Sequence, residues 1–252
     1  MSVRVRREPR RASGQHFLRS SKLAAELVRA ARVGPDDLVL DLGAGTGVLT
    51  RALACRTRRV IAVEFDPALA AVLRRRLAEV EVVEADARQV RLPREPFKVV
   101  ANLPFDGGTA ILRRLLDPRV PLATADVIVQ WGLACKRAAV WPSTQLGAYW
   151  SAWFELSVVR RLPPQVFAPP PAVDAGVLRI VRRAHPLVLS TDGREDAAFL
   201  ERGFRLGVRA VVPVRSLKRL EAELALERGA QPRELDAHQW AGLFRHTVRP
   251  TR

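Results

Sequence analysis

Residues 38–47 read LVLDLGAGTG, an apolar run that leads directly into a loop with glycines at positions 43, 45 and 47. A strand that is apolar on both faces is typical of a parallel sheet covered by helices on both sides. Glycine tolerates positive φ and lets the backbone approach a ligand closely. The strand, the loop and a helix predicted from Val48 to Cys55 therefore indicate the first unit of a nucleotide-binding α/β sheet. For the loop taken alone, a plain glycine turn is the alternative.

Further apolar segments repeat this pattern along the chain, with helical segments between most of them. They are VIAVEF (60–65), VEVVEAD (80–86), FKVVAN (97–102) and ADVIVQW (125–131). Strands without alternation, separated by helices, predict a doubly wound, Rossmann-like α/β sheet whose ligands lie beyond the carboxyl ends of the strands. LSVVRRL (156–162) and AGVLRIV (175–181) predict a closing antiparallel pair.

The composition divides the chain into three parts. Residues 1–20 carry six arginines against one glutamate and predict a basic, flexible N-terminal arm, for which a solvated tail and a contact to RNA phosphates are both open. Residues 21–182 hold the predicted α/β domain. Residues 183–252 contain about three amphipathic helical segments, one of them at 217–229, and predict a small helical RNA-binding domain.

The charge balance favours a polyanionic partner. Lysine and arginine number 42 against 26 aspartates and glutamates, which gives a formal net charge of +16. A surface of this kind binds phosphates favourably because neutralising them releases condensed counterions. Nucleic acid is therefore the expected class of partner.

Other function classes are disfavoured by the patterns that the sequence lacks. The two cysteines form no CxxC pattern and the four histidines show no metal-ligand spacing, so we expect neither a disulfide framework nor a metal site. No apolar run reaches the roughly 18–20 residues of a membrane span, and the N-terminal residues lack the apolar region of a secretory signal. We expect a cytoplasmic protein without membrane contact.

The glycine spacing narrows the class of ligand. Gly43-x-Gly45-x-Gly47 departs from the GxGxxG spacing that seats a dinucleotide pyrophosphate, and it better suits S-adenosylmethionine, an adenosine ligand that has none. Glu64 ends the next strand about 20 residues after the loop, where an acidic side chain can accept hydrogen bonds from both ribose hydroxyls. Asp86, just past the third strand, is placed to accept one from the adenine amine, with a helix N-cap as the alternative.

Asn102-Leu103-Pro104-Phe105 ends the fourth strand beside this ligand. An exocyclic adenine amine is a poor nucleophile because its lone pair is delocalised into the ring. The Asn102 side-chain carbonyl and a backbone carbonyl can accept its two hydrogens and free that lone pair, while Phe105 stacks on an extruded base. Asparagine is no base at neutral pH, so catalysis would rest on orientation and electrostatics. A β-turn with a buried phenylalanine is the alternative.

Seven segments together resemble one family. They are GQHFL (14–18), DLGAGTG (41–47), VEFD (63–66), EADA (84–87), NLPF (102–105), VQWGLACKRA (129–138) and VFAPPPAVDAG (166–176). In this order and spacing they resemble the rRNA adenine N6-methyltransferases, and most of all the actinomycete form of the erythromycin-resistance (Erm-type) enzymes that modify 23S rRNA. The resemblance implies a class I methyltransferase sheet with a small C-terminal helical domain, and S-adenosylmethionine as the methyl donor.

The resemblance also implies roles for single residues. Contacts to S-adenosylmethionine are implied for His16, Leu18, Gly43, Gly45, Glu64, Asp86 and Asn102. Asn102 and Phe105 would hold the target adenine, and Phe167 would support it. The chain departs from the family at two places, because asparagine usually stands at the position of His16 and bulkier residues at Asp106-Gly107-Gly108.

The implied function is methylation of one adenine N6 of 23S rRNA, which gives resistance to macrolide, lincosamide and streptogramin B antibiotics. We expect a monomer whose partner is 23S rRNA and not DNA. Three alternatives are open: a 16S rRNA adenine dimethyltransferase for ribosome assembly, a non-enzymatic RNA-binding protein that keeps the fold, and a DNA adenine methyltransferase. VQWGLACKRA and the short C-terminal region favour the 23S group.

Residues 131–154 are rich in aromatic side chains. Because aromatic residues that follow a buried strand usually pack inside, we expect a core role rather than stacking on RNA. They are Trp131, Trp141, Tyr149, Trp150, Trp153 and Phe154.

Overall fold

A computed structural model describes residues 15–248 of the chain. Its strands are β1 (Phe17–Leu18), β2 (Leu38–Leu42), β3 (Arg59–Glu64), β4 (Glu81–Glu84), β5 (Phe97–Asn102), β6 (Leu122–Gln130), β7 (Phe154–Leu162), β8 (Phe167–Ala168) and β9 (Ala175–Arg182). Its helices are α1 (Ser21–Ala30), α2 (Val48–Ala54), α3 (Pro67–Arg76), α4 (Gly108–Leu115), α5 (Trp131–Ala138), α6 (Gln145–Ser151), α7 (Gly193–Leu206), α8 (Val214–Glu223) and α9 (Ala237–Val248).

Seven of these strands form one sheet in the order β4-β3-β2-β5-β6-β9-β7. The five strands from β2 to β6 pair in parallel, and β9 runs antiparallel between β6 and β7. The carboxyl ends of the parallel strands therefore meet at one edge of the sheet, where ligands bind in doubly wound folds. The predicted fold and its antiparallel closing pair are confirmed.

The strand before the glycine loop lies in the middle of the sheet and is buried along its whole length. Its side chains alternate between two hydrophobic clusters. Leu40 packs with α4 on one face, and Val39 packs with α1 and α2 on the other. This burial on both faces is the physical reason that the sequence shows no apolar–polar alternation here.

Three helices follow the sheet, as predicted, once β9 has ended at Arg182. Their aromatic side chains do not form a separate core, because Phe199 and Trp240 belong to the same hydrophobic cluster as Trp153 beside the sheet. The helix predicted at 217–229 is too long. α8 ends at Glu223, and Ala225 takes a positive φ of 50°, which a continuing helix does not allow.

The predicted N-terminal arm falls mostly on residues 1–14, which lie outside the described residues. Its last six residues, 15–20, are here called the N-terminal strap, and for them the predicted flexibility is wrong. They form β1, which pairs antiparallel with β8 in the register Phe17 to Ala168 and Leu18 to Phe167. The backbone N–H of Arg19 also donates to the carbonyl of Val166 at 3.0 Å. The strap is thereby fixed across the carboxyl edge of the sheet.

The six aromatic residues of 131–154 divide into three groups, one of which, Trp131 and Tyr149, is half-buried. Trp150, Trp153 and Phe154 are fully buried, which confirms the predicted core role for them. Trp141 contradicts it, because it lies in the segment between α5 and α6 and 62% of its surface is exposed. Nothing in the sequence distinguishes it from its buried neighbours, since exposure here depends on where that segment leaves the core.

Residues 15–248 contain no helix that is both long and apolar enough to span a membrane. The same part of the chain holds no group of three or more His, Cys, Asp or Glu side chains arranged to bind a metal ion.

Candidate active site

The glycine loop between β2 and α2 takes the conformation that its sequence predicts. Gly43, Gly45 and Gly47 have φ values of 79°, 57° and 80°, in the region that side chains with a Cβ rarely adopt. At Gly45 the space is closed as well, because an added Cβ would lie 2.6 Å from the ring of Phe17. The strap therefore rests directly on the loop.

Glu64 is held rigidly beneath this loop. Its carboxylate accepts a hydrogen bond from the N–H of Gly45 at 2.7 Å through Oε2 and one from the N–H of Asp66 at 2.9 Å through Oε1. The side chain is only 4% exposed. Each carboxylate oxygen has a further lone pair, so the predicted contact to two ribose hydroxyls is compatible with these bonds.

Asp41, which the sequence analysis did not select, is a second buried carboxylate near the loop. The hydroxyl of Thr50 donates to its Oδ2 at 2.7 Å, whereas its buried Oδ1 has no partner among the described residues. Burial raises the pKa of this carboxyl to about 7. Its unpartnered oxygen is an acceptor that fits a charged ammonium group, such as the one on the methionine part of S-adenosylmethionine.

Asp86 has a partner that the sequence analysis missed. Its carboxylate accepts from the Arg88 guanidinium at 2.7 Å and from the Arg88 backbone N–H at 2.8 Å. The guanidinium holds the pKa of the Asp86 carboxyl below its usual range. No helix begins at Asp86, so the helix N-cap alternative is wrong, although the carboxylate does accept an N–H in the turn that follows it. Arg88 contacts both carboxylate oxygens, and the contact to an adenine amine stays a prediction.

A cavity of about 260 Å³ joins the loop, Glu64 and Asp86 at the carboxyl edge of the sheet, whereas Asp41 lines a separate and much smaller cavity. Its lining includes His16, Gly43, Glu64, Phe65, Asp86 and Asn102. Phe65 was not predicted, although its type and position could have indicated it: an aromatic residue directly after the acidic strand end. Its ring is 68% exposed, and a flat adenine ring is the kind of group that would cover it.

Asn102, the last residue of β5, faces the same cavity with a fixed orientation. Its Nδ2 donates to the backbone carbonyl of His16 at 2.6 Å. Its Oδ1 is buried and has no partner among the described residues. Because the strap takes the donor end of the amide, the acceptor end is left for a ligand.

Three aromatic rings pack against one another at this end of the site, and of them only His16 lines the cavity. The Phe105 ring lies 5.1 Å from the His16 ring and 6.2 Å from the Phe167 ring, between centroids. Phe105 is half-buried and lies one residue past Pro104, whereas Phe167 is fully buried. Phe167 is thus placed to support Phe105 from behind and not to face the cavity. Leu18 is likewise buried, in β1 opposite Phe167.

The unusual Asp106-Gly107-Gly108 segment begins a helix. Gly107 precedes α4, has a negative φ of −109°, and donates its N–H to the Pro104 carbonyl at 3.1 Å. An added Cβ on Gly107 would lie 3.3 Å from Pro104 Cγ, which is tight and explains a glycine there. At Gly108 the nearest atom would be at an ordinary 3.5 Å, and nothing in the structure explains that glycine.

The sheet order, the glycine loop and the acidic strand ends together define a class I methyltransferase. A family profile described as ribosomal RNA adenine dimethylase matches residues 6–197. The chain therefore belongs to the ribosomal RNA adenine dimethylase family, whose members are rRNA adenine N6-methyltransferases that use S-adenosylmethionine. The predicted family and methyl donor are confirmed.

Three relatives from different bacteria are similar to this chain over most of its length. An rRNA adenine N-6-methyltransferase of Bacillus licheniformis is 31% identical over 92% of this chain and 85% of its own length. The mycinamicin-resistance protein MyrB of Micromonospora griseorubida is 36% identical over 92% and 77%. The ribosomal RNA small subunit methyltransferase A of Moorella thermoacetica is 37% identical over 76% and 72%.

The fold is also that of a solved structure, the 23S rRNA methyltransferase ErmE. The two superpose with a TM-score of 0.82 at 31% identity, over 92% of this chain and all of the other.

The residues on this edge fit the methyl donor. Glu64 offers acceptors for the ribose hydroxyls, and Asp41 offers an unpartnered acceptor for the ammonium group. Phe65 offers an apolar ring for the adenine. The glycine loop lacks the spacing that a pyrophosphate requires. When bound, S-adenosylmethionine supplies an electrophilic methyl group on a sulfonium. The protein's own contribution is to orient the accepting amine and to receive its hydrogens.

Proposed function

We propose that the protein methylates the N6 amine of one adenine in 23S rRNA and thereby confers resistance to macrolide, lincosamide and streptogramin B antibiotics. The observation that carries the proposal is the buried, unpartnered Oδ1 of Asn102. A buried acceptor without a donor destabilises a protein by about 1–3 kcal/mol. An exocyclic adenine amine is a donor of the right size, and the Phe105 ring beside it suits a flat base.

The geometry of Asn102 supplies the catalytic effect. With Nδ2 held by the His16 carbonyl, Oδ1 is oriented before the base arrives, so no reorganisation is needed during the reaction. By accepting one N6 hydrogen, Oδ1 favours a pyramidal nitrogen whose lone pair is free. Phe105, supported by Phe167, fixes the plane of the ring.

Within the predicted RNA-binding domain 183–252, we propose α7, α8 and the turn between them as the part that contacts RNA. Exposed cations lie on α7, on α8 and on the turn between them, namely Arg202, Arg205, Arg209, Arg215, Lys218 and Arg219. These cations contribute to the net charge of +16 that favours a polyanionic partner. Since phosphate contacts release counterions, RNA affinity is expected to fall steeply with salt.

The choice of 23S over 16S rRNA rests on similarity. The resistance protein MyrB and the 23S enzyme ErmE are similar over 92% of this chain, whereas the small-subunit relative is similar over 76%. We accordingly place the small-subunit activity second. Action on ribosomal RNA would take place in the cytoplasm, and we propose a monomer as the active form.

The test is tritium transfer from S-adenosylmethionine to three acceptors: protein-free 23S rRNA, 16S rRNA and duplex DNA. We expect incorporation into 23S rRNA alone, reduced by about 10²–10³-fold with Asn102→Ala. Incorporation into 16S rRNA or DNA instead would show that 23S rRNA is not the substrate and would favour the corresponding alternative. No incorporation despite donor binding in a calorimeter would indicate the non-enzymatic alternative. Primer extension on 23S rRNA from cells with and without the gene then locates the modified adenine.

A further inference from the structure

We propose that His16 takes a direct part in the reaction, and that its Nε2 atom accepts the proton that the target amine loses. This role rests on the adenine methylation proposed above. It concerns a residue whose backbone carbonyl binds the amide of Asn102 and whose imidazole ring packs beside the ring of Phe105.

The position of His16 is fixed from both sides. Its backbone carbonyl accepts the 2.6 Å hydrogen bond from Asn102 Nδ2. Its imidazole ring lies 5.1 Å from the Phe105 ring between centroids, inclined by 55°. The residue also lines the cavity that contains Gly43 and Asn102. The imidazole therefore lies where a base held by Asn102 and Phe105 would meet the strap.

The tautomer of the ring follows from its hydrogen bond. His16 Nδ1 lies 2.8 Å from the carbonyl oxygen of Pro169. A carbonyl can only accept, so Nδ1 carries the hydrogen, and in the neutral ring Nε2 has a free lone pair. Within residues 15–248 no hydrogen bond to Nε2 is formed. Orientation of one ring nitrogen by a carbonyl with the other left free is how histidines are prepared to act as bases.

The proton balance requires an acceptor. As N6 forms a bond to the methyl carbon, the carbon–sulfur electron pair stays on sulfur and the positive charge moves to the amine nitrogen. One N–H proton of that nitrogen then passes to His16 Nε2, and its electron pair remains on N6. The imidazolium returns the proton to solvent, since His16 is only half-buried. The amide of Asn102 holds hydrogens but cannot take this proton.

The other ionisable groups around the cavity are engaged elsewhere. Both oxygens of Glu64 accept backbone N–H groups. Asp86 is paired with Arg88. Asp106 is the exception, because it also lines the cavity and is exposed ahead of α4. The Phe105 ring and the Pro169 carbonyl, which contact the His16 ring, carry no charge.

The test compares four proteins: wild type, His16→Asn, His16→Ala and His238→Asn. Asparagine at position 16 can still donate an N–H to the Pro169 carbonyl but does not titrate. His238 lies exposed on α9 and serves as the matched control. Single-turnover methyl transfer to 23S rRNA is measured from pH 5 to 9 with donor and RNA saturating.

We expect the wild-type rate to fall on the acid side of the profile, because a protonated Nε2 can no longer accept the proton. The His16→Asn variant should lose this fall in rate on the acid side. At pH 8 its rate should be about tenfold lower than that of the wild type. This loss is smaller than is usual when a general base is removed, because solvent can accept the proton instead. His238→Asn should follow the wild type. His16→Ala should also weaken the strap, so the asparagine variant decides the question.

A second readout does not depend on turnover. Nitrogen-15 spectra of the histidine rings in the ligand-free protein should show His16 with hydrogen on Nδ1 and a bare Nε2. An Nε2–H tautomer, or an unchanged acid limb in His16→Asn, overturns the role of His16 while the methyltransferase activity stands. A wild-type protein that transfers no methyl group overturns the proposed function as well, and this is seen before any variant is made.

Discussion

The two sides of the site are built in opposite ways. On the donor side, formed by the glycine loop, Glu64 and Asp86, the deciding hydrogen bonds join residues 19 positions apart or fewer. On the acceptor side, formed by His16, Asn102, Phe105 and Phe167, they join residues 86 and 153 positions apart. One half is made from successive strand ends, the other from segments that meet only in the complete fold.

The difference explains why the two halves respond differently to change. The donor side depends on backbone conformation and on one buried carboxylate, so its variants should act on donor affinity. The acceptor side depends on the strap, which is held by a two-residue pairing and two side-chain hydrogen bonds. Its variants should act on methyl transfer with donor affinity largely kept.

Asn102→Ala is the sharpest test of this division. It removes the preorganised acceptor, and we expect methyl transfer to fall by about 10²–10³-fold, the usual loss when one such group is removed. Donor affinity measured by calorimetry should change far less. Gln130→Ala, which removes an amide from the end of the neighbouring β6, is the control and should behave as wild type. Equal losses in donor binding and methyl transfer would contradict the division of the site into a donor side and an acceptor side.

Glu64→Gln tests the donor side alone. The Glu64 carboxylate accepts hydrogen bonds from two backbone N–H groups. In the variant the glutamine –NH₂ must face one of them, so that buried N–H loses its acceptor. We expect the dissociation constant for S-adenosylmethionine to rise about 10- to 100-fold, from the loss of roughly 1.4–2.7 kcal/mol. Glu84→Gln changes the exposed end of the adjacent strand and should leave the constant unaltered. Similar constants in both variants would contradict the proposed ribose contact.

Gly45→Ala addresses a contact between the glycine loop of the donor side and the strap of the acceptor side. The substitution adds backbone strain and drives a methyl group into Phe17, 2.6 Å away. Gly229→Ala is a strain-only control, because its φ is also positive at 81° and nothing lies within 4 Å. We expect chemical denaturation to show a loss of about 2–4 kcal/mol at Gly45 and about 1 kcal/mol at Gly229. Equal losses would mean that the strap does not rest on the loop.

Asp41→Asn should change the pH dependence of stability. Its pKa is raised from 3.8 to about 7 in the folded protein. The folded state therefore retains a proton that the unfolded chain releases, so stability falls as the pH rises from about 4 to about 7 and falls no further above it. Denaturation of Asp41→Asn should show a shallower decline than wild type, with exposed Asp36→Asn as the control. Parallel curves would exclude Asp41 as the titrating group.

Much of the fold could be predicted because its signals are local. The unbroken apolar run of β2 reflects burial on both faces, and the glycines before α2 reflect positive φ at those positions. The end of α8 was missed because the residues after Glu223 continue an amphipathic pattern, and only packing ends the helix. Trp141 was missed for a related reason, since the sequence around it does not reveal which aromatic residue leaves the core.

By itself, the sequence determined the sheet, the loop and the residue types of the donor side, because each follows from periodicity or backbone conformation within about 20 residues. Only the tertiary structure decided the orientation of the Asn102 amide and the place of Phe167 behind Phe105, away from the cavity. It also decided that Arg88 pairs with Asp86 and that His16 belongs to the acceptor side. The physical reason is that a side chain's orientation is fixed by its hydrogen-bond partners. Here those partners lie on segments that the fold alone brings together.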